Sequence, residues 1–228
     1  MPNKVSRKSV IIVAGGSGQR MGGPIPKQFL TLGSEPILMR TIERFYQFDN
    51  QINIILVLPQ NQIDFWQKLC AEYSFGVPHT QVVGGATRFE SVRNGLAHVA
   101  GDGVVGVHDG VRPLVSLETI RRCFSEAETY GTAVPVVVAT ESVRLVDTDG
   151  TNHAVERASV RLVQTPQVFN CQILRSAYYL AYCDSFTDDA SVVEAAGFDI
   201  HLTEGNRENV KITTPDDLVC AESLLSKM

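Results

Sequence analysis

A glycine-rich segment carrying two basic residues, VAGGSGQRMGGPIPKQFL at residues 13–30, has the composition of a phosphate-binding loop. Glycines at the end of a strand let backbone N–H groups approach phosphate oxygens closely. Arg20 can make a forked contact with such oxygens, and the prolines before Lys27 restrict the chain that carries its ammonium group. Because two fixed cations stabilise the charge on a transferring phosphoryl group, the segment predicts phosphate-transfer chemistry.

The segment matches neither of two widespread phosphate-binding motifs. Gly16 and Gly18 fit the first two positions of the dinucleotide fingerprint G-x-G-x-x-G, but its third position falls on Met21. The P-loop pattern also fails, because Gly23 is followed by Pro24 and not by Lys and Ser/Thr. A dehydrogenase is therefore disfavoured, and glycines alone would also be compatible with an ordinary surface loop.

A second candidate lies in VHDGVRP at residues 107–113. Asp109 comes at the carboxyl end of a predicted strand, which is the side where α/β sheets bind ligands. Arg112 follows three residues later, so an Asp–Arg ion pair with a purely structural role is an equal alternative. His108 points to the opposite face of the strand, and no other histidine has the spacing of a metal ligand. We expect a structural role for His108.

Composition limits the classes of protein to which this sequence can belong. The 228 residues are 44% hydrophobic and 20% charged, as expected for one globular domain spanning residues 1–228. The formal net charge of -5 argues against nucleic acid as the main partner, because such proteins usually carry a basic face. A small anionic ligand bound by a few local cations remains compatible with this charge.

The cysteines and the apolar runs indicate a cytoplasmic protein. Five cysteines are widely spaced and form no C-x-x-C pair, so neither a zinc site nor a disulfide framework is predicted. The apolar run at residues 10–14 is too short for a signal peptide, and no later run approaches membrane length. We expect neither membrane association nor secretion.

Short β-branched runs alternate with helical patterns through the first 140 residues or so, which predicts an α/β fold with a mostly parallel, twisted sheet flanked by helices. The runs are almost continuously apolar, as in strands that are covered on both faces. The predicted strands are Ser9–Ala14, Asn53–Pro59, Thr80–Val83, Val104–His108 and Thr132–Val138. The predicted helices are Ile37–Phe48, Asn61–Tyr73, Arg88–Ala100 and Leu117–Tyr130, with a further helix that begins at Pro215.

The sequence between Glu141 and Arg161 interrupts this alternation. Period-two segments flank the turn DTDG, which predicts a β-hairpin that projects from the domain as an arm over residues 140–161. An isolated two-stranded ribbon is marginally stable in water, so it should pack on another surface. We expect a homodimer in which the arm contacts a second copy of the chain.

The loop AGGSGQRMG…PKQFL resembles the signature loop of sugar and polyol nucleotidyltransferases. Other segments narrow the resemblance to the family of 2-C-methyl-D-erythritol 4-phosphate cytidylyltransferases of the non-mevalonate isoprenoid pathway. They are GGATRFESV (84–92), VHDGVRP (107–113), ATESVR (139–144), VER (155–157), QTPQVF (164–169), TDDAS (187–191) and NVKITTPDDL (209–218).

The resemblance implies a Rossmann-like nucleotidyltransferase fold and a definite reaction. A phosphate oxygen of 2-C-methyl-D-erythritol 4-phosphate attacks the α-phosphorus of CTP, pyrophosphate leaves, and the product is CDP-linked methylerythritol. It also implies Mg²⁺ as the divalent cofactor, although the residues do not identify its ligands.

The resemblance assigns roles to three sets of residues. The catalytic cations are Arg20, Lys27, Arg157 and Lys211. The CTP-binding residues are Ala14, Gly15, Gly16, Ser17, Gly18, Gly84, Gly85, Arg88 and Ser91. The residues for the polyol phosphate are Asp109, Arg112, Thr140 and Thr187. Arg157 and Thr140 are expected to reach the site of the neighbouring subunit, and Thr187 is expected to cap a helix beginning at Asp188.

Two questions of specificity stay open at the level of sequence. A ribitol-5-phosphate cytidylyltransferase shares the loop, the cation pattern and the fold, and a catalytically silent nucleotide-binding protein is a further alternative. The segment ATESVR also departs from the family's TDTIK, with Glu141, Ser142 and Arg144 in place of Asp, Thr and Lys. Either Thr140 or Ser142 is therefore the hydroxyl that meets the substrate.

Overall fold

The computed structural model describes residues 7–16 and 25–227. Its strands are β1 (Arg7–Val13), β2 (Thr31–Leu32), β3 (Glu35–Pro36), β4 (Asn53–Leu58), β5 (Thr80–Val83), β6 (Gly103–Asp109), β7 (Thr132–Val138), β8 (Val143–Val146), β9 (Asn152–Val155), β10 (Arg161–Val163), β11 (Gln167–Asn170) and β12 (Leu202–Glu204). Its α-helices are α1 (Ile37–Phe48), α2 (Ile63–Glu72), α3 (Arg88–Leu96), α4 (Leu117–Tyr130), α5 (Cys171–Ala177), α6 (Asp189–Ala195) and α7 (Pro215–Leu225). Every strand and helix predicted from the sequence is present, with ends shifted by a few residues at most.

The central sheet is mixed but mostly parallel. Its strands follow the order β10-β7-β11-β6-β1-β4-β5, and β12 also pairs with β7. The four strands β6, β1, β4 and β5 are parallel to one another. The strand β11, which the sequence did not predict, runs antiparallel between β6 and β7. The sheet therefore departs from a purely parallel arrangement only at β11 and at the edge strand β10.

Helices cover both faces of the sheet because its strands are apolar on both faces. Val10 and Ile12 of β1 pack in one cluster with side chains of α1, α2 and α4, including Phe45 and Trp66. Ile11, which points to the opposite face, packs in a second cluster with side chains of α3, α5 and α6. Val10, Ile11 and Ile12 are all fully buried although they point to alternate faces of the sheet. This explains why the sequence is continuously apolar at these positions.

Local capping signals fix where several helices begin. The predicted capping box at Thr87 and Glu90 is present at the start of α3. Thr214 caps α7, with Pro215 at its first position, also as predicted. The predicted cap at Thr187 is wrong, because Asp188 is the N-cap of α6 and exchanges side-chain hydrogen bonds with Ser191. A carboxylate two bonds from the backbone reaches the free N–H groups at this position, so Asp188 serves in place of the hydroxyl.

The predicted hairpin is formed by β8 and β9, which make a separate two-stranded sheet closed by the turn DTDG. Its apolar side chains remain largely exposed in the single chain: Val146 is 70% exposed and Leu145 54%. Leu162 and Val163 of β10, next along the chain, are also exposed. Neighbouring apolar side chains in contact with water are what the predicted contact with a second copy would cover.

Candidate active site

A cavity of about 360 Å³ opens where β1, β4, β5 and β6 end. These four parallel strands finish at Val13, Leu58, Val83 and Asp109, so their carboxyl ends meet at one edge of the sheet. The cavity is lined by Val13, Ala14, Gly15, Gly16, Lys27, Gln28, Pro59, Gly84, Gly85, Ala86, Thr87, Arg88, Ser91, Asp109, Val111 and Lys211. The volume lies within the range of cavities that bind small-molecule ligands.

The cavity brings together most of the residues that the sequence singled out. Ala14, Gly15, Gly16, Lys27, Gly84, Gly85, Arg88, Ser91, Asp109 and Lys211 all line it. Ser17, Gly18 and Arg20 lie outside the described residues. Three further candidates are placed elsewhere: Arg112 lies behind Asp109, and Thr140 and Arg157 line a second depression. Thr187 is exposed just before α6 and lines neither cavity.

Asp109 is the centre of a group of three cations. Its carboxylate lies 3.2 Å from Lys211 Nζ, 3.0 Å from Arg112 Nε and 4.0 Å from Arg88 Nε. Burial by itself would raise the pKa of Asp109, but the charges of Arg88, Lys211 and Arg112 outweigh burial and hold its pKa well below the usual value. Asp109 is therefore ionised throughout the neutral range, and it orients cations at the floor of the cavity.

The ion pair between Asp109 and Arg112, left open by the sequence, is present. Arg112 also donates from Nη1 to the backbone carbonyl of Asn209 at 2.8 Å, which ties the end of β6 to the segment that leads to Lys211. Ile212 strengthens this link by donating its backbone N–H to Val111 O at 3.0 Å. The loop that carries Lys211 is thus anchored beside Asp109 by contacts on both sides of the lysine.

Lys27 enters the cavity from a short 3-10 helix, Lys27–Phe29, that follows the two prolines. The residue is only 9% exposed, and its Cε atom lies beside Gly16. The next residue, Gln28, was not predicted as functional; its amide donates to Ala14 O at 2.8 Å and to Gln62 Oε1 at 2.6 Å. Gln28 thereby fixes the lysine-bearing turn against the strand end that begins the glycine loop.

The turn at Gly84 and Gly85 is shaped by α3. Ser91 Oγ accepts from Gly85 N at 3.1 Å and donates to Thr87 O at 2.9 Å, while Glu90 accepts from the backbone of Ala86 and Thr87. A Cβ atom on Gly85 would overlap the side chain of Glu90, so only glycine fits this close approach. The hydroxyl of Ser91 therefore acts first on the shape of the turn.

Thr165 is a second residue that the sequence reasoning missed. Its Oγ1 accepts from the backbone N–H of Asp109 at 3.1 Å and lies 3.0 Å from His108 Nδ1. His108 is completely buried, as its expected structural role requires, and its Nε2 lies 3.2 Å from Arg112 O. Burial lowers the pKa of His108 to about 4, so the ring is neutral at physiological pH.

The second depression has a volume of about 500 Å³, is more open, and lies at the base of the hairpin. It is lined by Val138, Ala139, Thr140, Arg157 and Ala158. Arg157 Nη1 donates to Thr140 O at 3.2 Å, and both residues are exposed. The structure thus joins the two predicted arm residues to each other but not to the cavity around Asp109.

The fold and this cavity define an α/β protein that gathers glycines and cations at the carboxyl edge of its sheet, an arrangement suited to a phosphorylated ligand. Comparison with known proteins narrows the class. Residues 9–227 match the family model of IspD, 2-C-methyl-D-erythritol 4-phosphate cytidylyltransferase, and the chain belongs to that family.

Individual relatives agree with the family match over almost the whole chain. The 2-C-methyl-D-erythritol 4-phosphate cytidylyltransferase of Phocaeicola vulgatus is 56% identical over 218 residues, covering 96% of this chain and 99% of the relative. The enzyme of that name from Bacteroides thetaiotaomicron is 55% identical over 219 residues, covering 96% of this chain and all of the relative.

Solved structures with the same fold are also cytidylyltransferases. The crystal structure of 4-diphosphocytidyl-2C-methyl-D-erythritol synthase from Anaerococcus prevotii has a TM-score of 0.83 at 27% identity, covering 97% of this chain and 99% of that one. The 2-C-methyl-D-erythritol 4-phosphate cytidylyltransferase of Thermus thermophilus has a TM-score of 0.77 at 32% identity, covering 96% of this chain and 99% of that one.

These matches confirm the Rossmann-like nucleotidyltransferase fold and the activity that the motifs implied. The protein transfers CMP from CTP to 2-C-methyl-D-erythritol 4-phosphate in the non-mevalonate isoprenoid pathway. The family match also decides between the two polyols in favour of methylerythritol phosphate over ribitol phosphate. None of the helices in the described ranges has the length and apolar character that a membrane span requires.

Proposed function

We propose that the cavity around Asp109 is where the phosphate of the acceptor attacks the α-phosphorus of CTP. The observation that supports this proposal most is the convergence of Lys27, Arg88 and Lys211 on one cavity at the carboxyl ends of the parallel strands. In the reaction a bond forms between an acceptor phosphate oxygen and the α-phosphorus, and the bond to the bridging oxygen of the β-phosphate breaks. The electron pair of that bond leaves with pyrophosphate.

The nucleotide side of the proposed site combines backbone and cations. Ala14, Gly15 and Gly16 offer backbone at the end of β1, and we assign the triphosphate to this edge. Ser17, Gly18 and Arg20, which follow in the sequence and lie outside the described residues, are assigned to the triphosphate by the family resemblance. Gly84, Gly85, Arg88 and Ser91 take the cytidine side. Lys27, held close to Gly16, neutralises the charge that develops at the α-phosphate in the transition state. No covalent intermediate with the protein is required, so the chain acts by positioning and charge neutralisation.

The acceptor side of the proposed site draws on residues further along the chain. Lys211 binds the acceptor phosphate, while Asp109 and Arg112 orient that lysine and the polyol. Thr187 contributes a hydroxyl from the exposed segment before α6. Arg157 and Thr140, which lie together at the base of the hairpin, are assigned to the site of a second copy of the chain.

Mg²⁺ is proposed as the divalent cation of the reaction. Within residues 7–16 and 25–227 no three carboxylate, histidine or cysteine side chains cluster as metal ligands. The cavity offers Asp109 as its one carboxylate among the described lining residues, and that carboxylate is already paired with cations. This donor set fits a magnesium ion held chiefly by substrate phosphates, as is usual for this metal. When bound, the ion neutralises charge on the leaving pyrophosphate.

We also propose a homodimer formed through the hairpin and β10. The exposed apolar side chains Val146, Leu145 and Leu162 support an interface there. Val146→Glu should shift the protein from dimer to monomer in sedimentation analysis, because a buried carboxylate without a partner opposes association. Val219→Glu, at a position on α7 that is 67% exposed, is the matched control and should leave the dimer intact. An unchanged dimer in both variants would contradict the interface.

A cytoplasmic location completes the proposal. The described cysteines, at residues 70, 123, 171, 183 and 220, are all free thiols, which suits a reducing compartment.

The activity is tested by pyrophosphate release with two acceptors. With CTP and Mg²⁺, the purified protein should release pyrophosphate far faster with 2-C-methyl-D-erythritol 4-phosphate than with ribitol 5-phosphate. An assay without acceptor corrects for hydrolysis of CTP. A faster reaction with ribitol 5-phosphate would overturn the acceptor assignment, and no release with either acceptor would contradict the proposed site.

A further inference from the structure

A buried carboxylate, Asp189, lies behind the cavity and bonds one of the cations that line it. Asp189 is the first residue of α6, is completely buried, and accepts from Arg88 Nη2 at 2.6 Å. Tyr178, at the end of α5, donates its hydroxyl proton to the other carboxylate oxygen, also at 2.6 Å. Both oxygens of Asp189 are therefore engaged by short, charge-assisted or strongly polar hydrogen bonds.

The guanidinium of Arg88 has a different anionic neighbour on each of two edges. Its Nη2 is bonded to Asp189, whereas its Nε lies 4.0 Å from Asp109, which is too far for a direct hydrogen bond. Arg88 is thus held firmly from the buried side and only loosely from the side of the cavity that it lines. Without Asp189, the strongest remaining anion for this guanidinium would be Asp109, inside the site.

Tyr178 connects this carboxylate to the backbone that carries Arg88. Its ring stacks on Phe89, the neighbour of Arg88, with ring centroids 4.6 Å apart and an angle of 21° between the planes. Burial raises the pKa of Tyr178, and the negative charge of Asp189 raises it further, so the phenol keeps its proton across the neutral range. Tyr178 therefore holds the first turn of α3 by its ring and the partner of Arg88 by its hydroxyl.

We propose that Asp189 and Tyr178 are positioning residues that hold the Arg88 guanidinium in place for CTP. This inference rests on the proposed CTP-binding role of Arg88. Its hydrogen bond to Asp189 keeps Arg88 from pairing with Asp109, so the guanidinium remains at the cavity wall for the nucleotide. Asp109 then stays paired with Lys211 and Arg112. Fixing the side chain in advance also lowers the entropy lost when CTP binds.

The direction of the effect separates positioning from simple electrostatics. Asp189→Asn removes a negative charge near the site of an anionic nucleotide, and by Coulomb's law alone the change should tighten CTP binding. A positioning role predicts the opposite, because Arg88 is then free to swing to Asp109. We expect Asp189→Asn to raise KM for CTP about tenfold or more, with a smaller change in KM for the acceptor.

Tyr178→Phe provides a milder variant that keeps the ring stacked on Phe89. It removes only the hydroxyl that bonds Asp189, and we expect KM for CTP to rise about threefold. The thermal unfolding temperature should fall by a few degrees, because one oxygen of a buried carboxylate loses its partner. Tyr182→Phe is the matched control, since the Tyr182 ring also lies against Phe89, at 5.8 Å, but is exposed. The control should keep the KM values of the parent protein.

Arg88→Met separates the CTP-binding role of Arg88 from the positioning role of Asp189 and Tyr178. If Arg88→Met raises KM for CTP and the Asp189 and Tyr178 variants do not, the positioning role is wrong while the role of Arg88 stands. If Arg88→Met leaves KM for CTP unchanged, the CTP role of Arg88 is wrong and the positioning role falls with it.

A double variant keeps the proposal testable if Asp189→Asn alone does not fold. Arg88→Met with Asp189→Asn removes both members of the ion pair together, which avoids leaving the buried carboxylate unpaired. In the Arg88→Met background, Asp189→Asn should change KM for CTP less than about twofold, because positioning requires the group that is positioned. A further large rise in KM in that background would overturn the proposal, as would a Tyr178→Phe variant with an unchanged KM for CTP.

Discussion

The cavity around Asp109 and the base of the hairpin both present basic residues, but the two regions hold those residues in opposite ways. Lys211, Arg112 and Arg88 are fixed by Asp109 and Asp189, carboxylates of the same chain that are largely or fully buried. Arg157 is exposed, and it donates a hydrogen bond to the backbone carbonyl of Thr140. The cations of the cavity around Asp109 are paired with carboxylates of the same chain, whereas Arg157 at the base of the hairpin is exposed to solvent.

This difference has a physical consequence for the enzyme. Cations that are already paired with carboxylates of the same chain lose little freedom when a phosphate arrives, so they are suited to steps that depend on preorganisation. An exposed arginine gains that order only when a second surface covers it. The contrast is consistent with the proposed division, in which one chain provides the nucleotide side and a second copy completes the acceptor side.

The largest effect on activity is expected at Lys27, which lines the cavity around Asp109. Lys27→Ala should lower kcat by about 10²–10³, equivalent to about 2.7–4 kcal/mol, because the variant loses the fixed charge that we propose acts at the reacting phosphate. Pyrophosphate release under saturating substrates measures the change. Lys68→Ala, at an exposed lysine on α2, is the control and should leave kcat unchanged. Activity close to that of the parent protein in Lys27→Ala would remove Lys27 from the mechanism.

The pH dependence of stability should also originate in the buried region. The pKa of His108 is lowered from 6.5 to about 4, so between these values the unfolded chain binds a proton that the folded chain does not. The stability contributed by neutral His108 is therefore complete above pH 6.5 and is lost as the pH drops toward 4, by on the order of 3 kcal/mol. Urea unfolding at a series of pH values measures this slope.

Two histidine variants test whether His108 causes the pH dependence of stability. His108→Gln should flatten it, leaving the smaller contribution of His79, whose pKa burial also lowers. His98→Gln, at an exposed position just after α3, should leave the slope as it is. A slope that survives in His108→Gln would show that the buried region does not govern it.

A smaller effect is expected from the helix caps. Thr87→Ala removes the cap of α3 and should lower the free energy of unfolding by about 1 kcal/mol, while loosening the turn at Gly84 and Gly85 and raising KM for CTP. Thr214→Ala removes an equivalent cap from α7 and should have a similar effect on stability. Equal KM values in the two variants would argue that the α3 cap has no part in shaping the nucleotide side.

Much of the fold could be predicted because its signals are local. Residues 10–13 of β1 form an unbroken apolar run, and Thr87 with Glu90 has the spacing of a capping box. The strand β11 was missed because QVFN is only four residues long and shows no alternation. The cap of α6 was misplaced by one residue because Thr187 and Asp188 are both good capping residues, and only the backbone geometry selects Asp188.

The second layer of the site could not be predicted because its contacts span long distances in the sequence. Arg88 and Asp189 are separated by 101 positions, and Asp109 and Thr165 by 56. Nothing in the residues around Asp189 identifies Arg88 as its partner, because that pairing depends on how α6 packs beside α3. The motifs therefore identified the side chains that face the cavity, and the structure adds those that hold them.

The most direct test of the division between the two regions is complementation between two inactive variants. Lys27→Ala and Arg157→Ala, each inactive as a homodimer, are mixed in equal amounts and allowed to exchange subunits. In a heterodimer the site that retains Lys27 receives Arg157 from the other chain, so one of its two sites is intact. With half of the dimers mixed, about a quarter of the parent activity should return.

A control mixture defines the background for this measurement. Lys27→Ala mixed with a chain carrying both substitutions has no site that contains Lys27 and should stay inactive. Pyrophosphate release at about a quarter of the parent rate in the first mixture, and none in the control, is the predicted result. No recovery in the first mixture, after subunit exchange has been verified with differently tagged chains, would contradict the claim that a second chain completes the site.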